Sequence, residues 1–159
     1  MKSLFILQLV CCVITAMLAL QLAMASLQVR WKVWRYEISR WILVASMLFF
    51  SVHYLLQMIH GLRAQGADVG AAFNILFYTP VAFAITLSII NIESTGNKVR
   101  RYCLRGMMAY ILIAIVFVIG MFKSQSLHIG NMLYVMLGLF VASMAYFILI
   151  IRKETKARK

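Results

Sequence analysis

Five long apolar runs constrain the fold of this 159-residue chain more than any other feature. A membrane-spanning helix needs about 20 apolar residues, because the hydrocarbon core is about 30 Å thick. A soluble domain of this length cannot bury a composition that is 64% hydrophobic. We therefore predict an all-α, polytopic transmembrane bundle of five helices in one domain, 1–151, followed by a basic cytoplasmic tail, 152–159. The predicted helices cover about residues 4–26, 41–62, 71–92, 106–122 and 132–151.

The orientation of the bundle follows from the distribution of lysine and arginine. Segments 27–40, 93–105 and 152–159 hold four, four and five cations, which is thirteen of the sixteen. Short loops with an excess of cations stay in the cytoplasm. We therefore predict an outside N-terminus and a cytoplasmic C-terminus in a bacterial inner membrane. The remaining cations are Lys2, Arg63 and Lys123.

The first apolar run has an alternative interpretation as a cleaved signal peptide. Ala23, Met24 and Ala25 resemble an A-x-A cleavage site. Cleavage there would leave the four cations of 27–40 on the outer face, against the positive-inside rule. The run is also longer than the apolar region of a typical signal peptide, so we predict a true membrane helix.

Basic and aromatic residues alternate across 27–40. This pattern would suit stacking on single-stranded nucleic acid. Between two membrane helices, however, indole rings lie at headgroup depth and cationic side chains reach lipid phosphates. We therefore predict contacts with membrane lipids and no direct binding of nucleic acid. The predicted headgroup contacts are Arg30, Trp31, Lys32, Trp34, Arg35, Arg100, Arg101 and Arg105.

A polar stripe interrupts the second run, where His53, Gln57 and His60 follow one another in steps of four and three residues. Such steps place side chains on one face of a helix. Polar groups at membrane depth are costly, which makes the stripe a candidate site for a ligand or for proton sensing. The alternative is hydrogen bonding to the third helix, which packs the bundle. The partners considered there are Asn74, Tyr78 and Ser88.

The stripe is poorly spaced for a metal or a haem. Seven residues rise about 10.5 Å along a helix, so His53 and His60 cannot bind one ion together. The third histidine, His128, lies in a loop, and no other apolar run contains one. We therefore predict no metal and no cofactor, and the polar groups remain a packing or sensing surface. Pro80, inside the third run, predicts a kink, with Thr79 or a neighbouring helix satisfying the freed carbonyl.

Catalysis finds little support in the sequence. The four acids, Glu37, Asp68, Glu93 and Glu154, all lie outside the apolar runs. Paired carboxylates for acid–base chemistry or ion coupling are therefore missing from the predicted helices. No zinc-protease, P-loop, C-x-x-C or serine-hydrolase motif is present either. An enzyme and an ion-driven transporter are both disfavoured.

Residues 40–63 (R-W-I-L-V-A-S-M-L-F-F-S-V-H-Y-L-L-Q-M-I-H-G-L-R) and 74–80 (N-I-L-F-Y-T-P) resemble the membrane regions of certain bacterial signalling proteins. These are the N-terminal multi-helix regions of Bacteroidetes-type membrane-bound histidine kinases and helix-turn-helix regulators. The resemblance is one of pattern over about residues 35–151. It implies an output domain after the last helix, yet this sequence contains neither a kinase phospho-acceptor region nor a DNA-binding helix pair.

The function predicted from these features is that of a sensory or anchoring module in the bacterial inner membrane. The outer loops are too short to fold into a ligand-binding domain, so a signal would enter within the membrane. The module would relay it to a cytoplasmic output domain or partner, as a homodimer or with another signalling protein. The alternatives are a small accessory or assembly subunit of a larger membrane complex and, less favoured, a haem or quinone redox subunit.

Overall fold

A computed structural model describes residues 2–25, 33–93 and 96–156. This part of the chain is helical and contains no strand. Five of its helices are long and apolar enough to cross a bilayer, which confirms the predicted five-helix, multi-pass membrane class. The helices are α1 (Lys2–Met24), α2 (Val33–His60), α3 (Leu62–Gln65), α4 (Ala67–Glu93), α5 (Gly96–Ser124) and α6 (Met132–Lys156).

Three helices extend into the basic segments that flank the apolar runs. Helix α2 begins at Val33 and α5 at Gly96, eight and ten residues before the apolar runs, and α6 continues to Lys156. Lysine and arginine are good helix formers, and polar turns can continue the backbone hydrogen-bond ladder beyond the hydrocarbon core. The predicted lipid contacts Trp34, Arg35, Arg100, Arg101 and Arg105 therefore lie on helical turns. Those predicted at Arg30, Trp31 and Lys32 lie outside the described residues.

Helix α4 is the centre of the bundle. It packs against α2 on one side and against α5 and α6 on the other, and α5 also packs against α6. Among the described residues, α1 packs against α2 only. The order across the bundle is therefore α1, α2, α4, and then the α5–α6 pair.

The apolar core lies where α4 meets the α5–α6 pair. Ala72 and Ile75 of α4 pack there with Ile113 of α5 and Met136 of α6, and all four are buried. Phe73 and Phe117 meet edge to face nearby, with ring centroids 5.6 Å apart. These apolar contacts hold α4 to the α5–α6 pair.

The two ends of the bundle are marked by contacts between a basic and an acidic side chain. At one end, the His128 end, Nδ1 of His128 lies 2.8 Å from Oδ2 of Asp68. At the opposite end, the Glu154 end, Nζ of Lys98 lies 3.5 Å from Oε2 of Glu154. The start of α2, the end of α4, the start of α5 and the end of α6 meet at the Glu154 end.

Helix α4 passes through Pro80 without a break. Proline has no N–H to offer the carbonyl of Leu76, four residues earlier. The neighbouring Thr79 hydroxyl donates instead to the carbonyl of Ile75 at 2.6 Å. The Thr79 hydroxyl therefore bonds to Ile75 and does not satisfy the carbonyl freed by Pro80, which was one of the two predicted alternatives.

Candidate functional site

A buried polar network joins α1, α2 and α4 in the half of the bundle near the His128 end. Nε2 of Gln8 donates to Oε1 of Gln57 at 3.1 Å. Nε2 of Gln57 then donates to Oδ1 of Asn74 at 2.8 Å. Gln8, His53 and Gln57 are 4%, 1% and 1% exposed, so these bonds replace contact with lipid or water. We call these four residues, Gln8, His53, Gln57 and Asn74, the polar network.

His53 lies between a donor and an acceptor of this network. Its Nε2 atom is 3.1 Å from Nε2 of Gln57 and 3.2 Å from Oδ1 of Asn74. A neutral imidazole carries its hydrogen on one ring nitrogen, so Nε2 can accept from Gln57 or donate to Asn74, but not both. The first arrangement bonds His53 within α2, whereas the second bonds it across to α4. The two distances are therefore compatible with either tautomer of His53.

Aromatic rings hold the imidazole in place. His53 stacks on Phe77 with ring centroids 4.3 Å apart and planes 27° from parallel. The ring of Tyr78 meets it edge-on at 5.8 Å, and the Tyr78 hydroxyl lies 3.3 Å from that of Tyr54. Stacking of this kind fixes the ring plane while leaving the position of the proton free to change.

The network contributes to packing as well as to chemistry. Hydrogen bonds between membrane helices contribute on average about 0.6 kcal/mol and at most about 1.7 kcal/mol. An amide left without a partner in hydrocarbon costs several kcal/mol, in the range of about 2–7 kcal/mol. Losing a partner is therefore the larger effect, and it would destabilise the contacts of α1 and α4 with α2.

The structure brings together four of the five residues predicted in the polar stripe and its surroundings. His53 contacts Gln57, Asn74 and Tyr78, and Gln57 also bonds to Asn74. His60 is exposed and lies apart from them, since α2 ends there and Gly61 adopts the left-handed conformation at φ 57°. The kink residue Pro80 lies further along α4 and lines a different surface.

Gln8 is the network residue that the sequence reasoning missed. It is a strongly polar side chain inside an apolar run, which is the same signal that marked Gln57. A second polar contact also links α1 to α2, since the Cys12 Sγ atom lies 3.2 Å from the Ser51 hydroxyl. Ser51 in turn donates to the Cys12 carbonyl at 3.1 Å.

Ser88, a third partner considered for the stripe, takes part in a separate cluster near the Glu154 end. Its carbonyl accepts a hydrogen bond from the Ser39 hydroxyl at 3.0 Å. Nδ2 of Asn91 donates to the Ser39 hydroxyl at 3.0 Å and to the Arg35 carbonyl at 3.1 Å. Helices α2 and α4 are therefore bonded to each other near both ends.

A buried carboxylate joins the ends of α5 and α6. Glu154 is 7% exposed and accepts a hydrogen bond from the Tyr102 hydroxyl at 3.0 Å, in addition to the Lys98 contact. Nη1 of Arg105 donates to the Tyr146 hydroxyl at 3.2 Å, one turn closer to the centre of the bundle. These contacts determine how the last turns of α6 lie against α5.

The network consists of neutral hydrogen-bonding groups and an imidazole. Its members are amides and one imidazole, with no carboxylate to accept a proton in general acid–base catalysis. In the part of the chain that the structure describes, no three histidine, cysteine or acidic residues are grouped as they would be around a metal ion. No protein-family model, curated protein or solved structure is significantly similar to this chain.

Proposed function

We propose that the chain is a sensory or anchoring module of the bacterial inner membrane that relays an intramembrane signal to a cytoplasmic output domain or partner protein. The observation that carries this proposal is the position of the His53 Nε2 atom, which lies at nearly equal distances from Gln57 and Asn74. A switch needs an element with two discrete states that a signal can bias. The two arrangements of His53 are such an element.

The signal reaches this element within the bilayer. One arrangement of His53 adds a bond between α2 and α4, and the other removes it. Any change that separates or tilts these two helices therefore alters the balance between the arrangements. Membrane thickness, lipid composition and apolar small molecules act in this way, and none of them needs an extracellular domain.

The output end is the far end of α6. Helix α4 contacts α2 on one side and α6 on the other, so it is the physical link between the polar network and α6. The Tyr102–Glu154 bond then fixes the last turns of α6 against α5. A displacement of α4 would change the position of the α6 end, where a partner or output domain is contacted.

The proposed orientation places the Glu154 end in the cytoplasm and the N-terminus outside. Segments 27–40, 93–105 and 152–159 hold thirteen of the sixteen cations, and the described residues of all three lie at the Glu154 end. This asymmetry in short loops supports the orientation through the positive-inside rule. The same cations would contact the phosphates of the inner leaflet.

An accessory subunit is a less favoured function because of where the polar groups point. A stripe that mates with a partner helix presents its polar groups to that partner. Here Gln57 bonds to Gln8 and Asn74 of its own chain. The network is thus used inside the bundle, which favours a sensory or anchoring role.

The coupling between the network and the α6 end can be measured directly. Spin labels at Arg100→Cys and Lys156→Cys, in a chain whose native cysteines are replaced by alanine, report the distance between the ends of α5 and α6. We expect His53→Ala and Gln57→Ala to shift or broaden the distance distribution while the protein still inserts. The exposed Gln65→Ala is the matched control and should leave the distribution unchanged. Identical distributions for all of these variants would contradict the proposal.

A further inference from the structure

Helices α2 and α4 form a second, entirely different surface near the Glu154 end. A cavity of about 290 Å³ lies between them, beside Pro80. A cavity of about 530 Å³ continues from it along α2 toward Trp34. Ile42 and Ala45 line both cavities, so they form one continuous surface, which we call the α2–α4 groove.

The inner part of the groove is apolar. Its walls on α4 are Pro80, Val81 and Ala84, where proline offers no N–H and alanine leaves space. The one hydroxyl in the wall belongs to Ser46, and it donates to the Ile42 carbonyl of its own helix at 2.7 Å. The inner part of the groove therefore offers apolar contact and no free hydrogen-bond donor, as an alkyl chain requires.

The outer part of the groove has the features of a headgroup site. Trp34 and Trp41 flank it, and their exposed rings are typical of headgroup depth. Glu37 is the charged residue that lines this part, and its carboxylate pairs with Arg40 at 2.5 Å. The acid is the more accessible partner, since its side chain is 29% exposed whereas that of Arg40 is 13% exposed.

The length of the groove matches one leaflet. Glu37 and Phe49 are twelve residues apart, which corresponds to about 18 Å along a helix. Half of the hydrocarbon core is about 15 Å thick. A single acyl chain that starts at headgroup depth would therefore fill the groove and end near Phe49.

We propose that the α2–α4 groove binds one phospholipid with an ammonium-bearing, zwitterionic headgroup, namely phosphatidylethanolamine. Its acyl chain lies against Ala45 and Pro80. Its ammonium group pairs with the Glu37 carboxylate, the charged group that lines the outer part of the groove. Phosphatidylglycerol lacks the ammonium group that Glu37 attracts.

Tryptophan fluorescence gives a direct test, because all three tryptophans of the chain, at positions 31, 34 and 41, lie at the outer part of the groove or just before it in sequence. The full chain is reconstituted in phosphatidylcholine bilayers with rising fractions of phosphatidylethanolamine or phosphatidylglycerol, each brominated near the headgroup end of its acyl chains. Bromine quenches a tryptophan that it contacts, so the quenching curves give binding relative to phosphatidylcholine. We expect about three- to five-fold preference for phosphatidylethanolamine, because its primary ammonium donates hydrogen bonds to Glu37 that the trimethylammonium of phosphatidylcholine cannot donate.

Two variants and a control separate the groove from ordinary boundary lipid. Ala45→Phe fills the groove and should abolish the preference, and Glu37→Gln should abolish it without changing side-chain size. Ala145→Phe, on an exposed face of α6, should retain it. Equal quenching by all headgroups, stronger binding of phosphatidylglycerol, or a preference that survives Ala45→Phe would each overturn the proposal.

Discussion

Replacing Gln57 with leucine removes the residue through which three helices are joined. Its side chain accepts from Gln8, donates to Asn74 and lies within hydrogen-bond distance of His53. Leucine is similar in size and is soluble in lipid, so the change removes hydrogen bonds with little change in packing volume. Gln8 then loses the partner to which it donates, and Asn74 loses a donor.

The expected loss follows from the number of bonds. Two or three bonds at about 0.6–1.7 kcal/mol each give a decrease of about 1–5 kcal/mol in the free energy of unfolding. The amides of Gln8 and Asn74 that lose a partner add to this decrease, so we expect at least about 2 kcal/mol. The free energy of unfolding is measured with the full chain in bicelles, where a bulky tag that binds only the unfolded state drives reversible unfolding. The α1–α2 and α2–α4 contacts should weaken together, because Gln57 belongs to both.

Gln65→Leu is the matched control for this measurement. Gln65 is exposed, and its side chain makes only a long 3.4 Å contact with the His60 carbonyl. Its replacement should change the free energy of unfolding by less than about 0.5 kcal/mol. If Gln57→Leu also changes it by less than this, the network does not hold the helices together and the reasoning fails.

Three further predictions concern other parts of the bundle. Gly106→Ala should destabilise the protein by about 1–3 kcal/mol, because its new methyl group would lie 2.0 Å from a phenylalanine ring of α4. Gly138→Ala, in open space, should be neutral in the same unfolding assay. Glu154→Gln should speed amide exchange in the last turn of α6 by about five-fold, since Tyr102 and a lysine lose a charged partner; unchanged exchange would argue against that contact. The Gln8 bond to α2 requires α1 to remain attached, so the intact mass of the purified protein should include α1, and a mass lacking it would identify a signal peptide.

Hydropathy located all five membrane helices but not their ends. Apolar runs report where the hydrocarbon core is, whereas a helix continues for as long as its backbone bonds continue. The basic turns at Lys98 and Arg101 extend α5, and those before Trp41 extend α2. These turns contain good helix formers and no proline, so the sequence did indicate longer helices.

The polar stripe was predictable from the sequence only in part. A helical period placed His53 and Gln57 on one face, and Asn74 was among the partners considered. The helical period of the stripe could not show that α2 ends at His60, because the end of α2 depends on the left-handed conformation of Gly61. Gln8 carried the same signal as Gln57, a strongly polar side chain in an apolar run, but the spacing within one helix could not show that α1 packs beside α2.

The position of the proton on His53 tests the central claim most directly. Nitrogen NMR of the ¹⁵N-histidine protein in lipid bilayers distinguishes the two neutral tautomers, and His60→Gln and His128→Gln variants assign the remaining signal to His53. The two-state account predicts that both tautomers are populated. It also predicts that Gln57→Leu, which removes the donor to Nε2, shifts the population toward the form that donates to Asn74. A single tautomer that is the same in the wild type and in Gln57→Leu would contradict it.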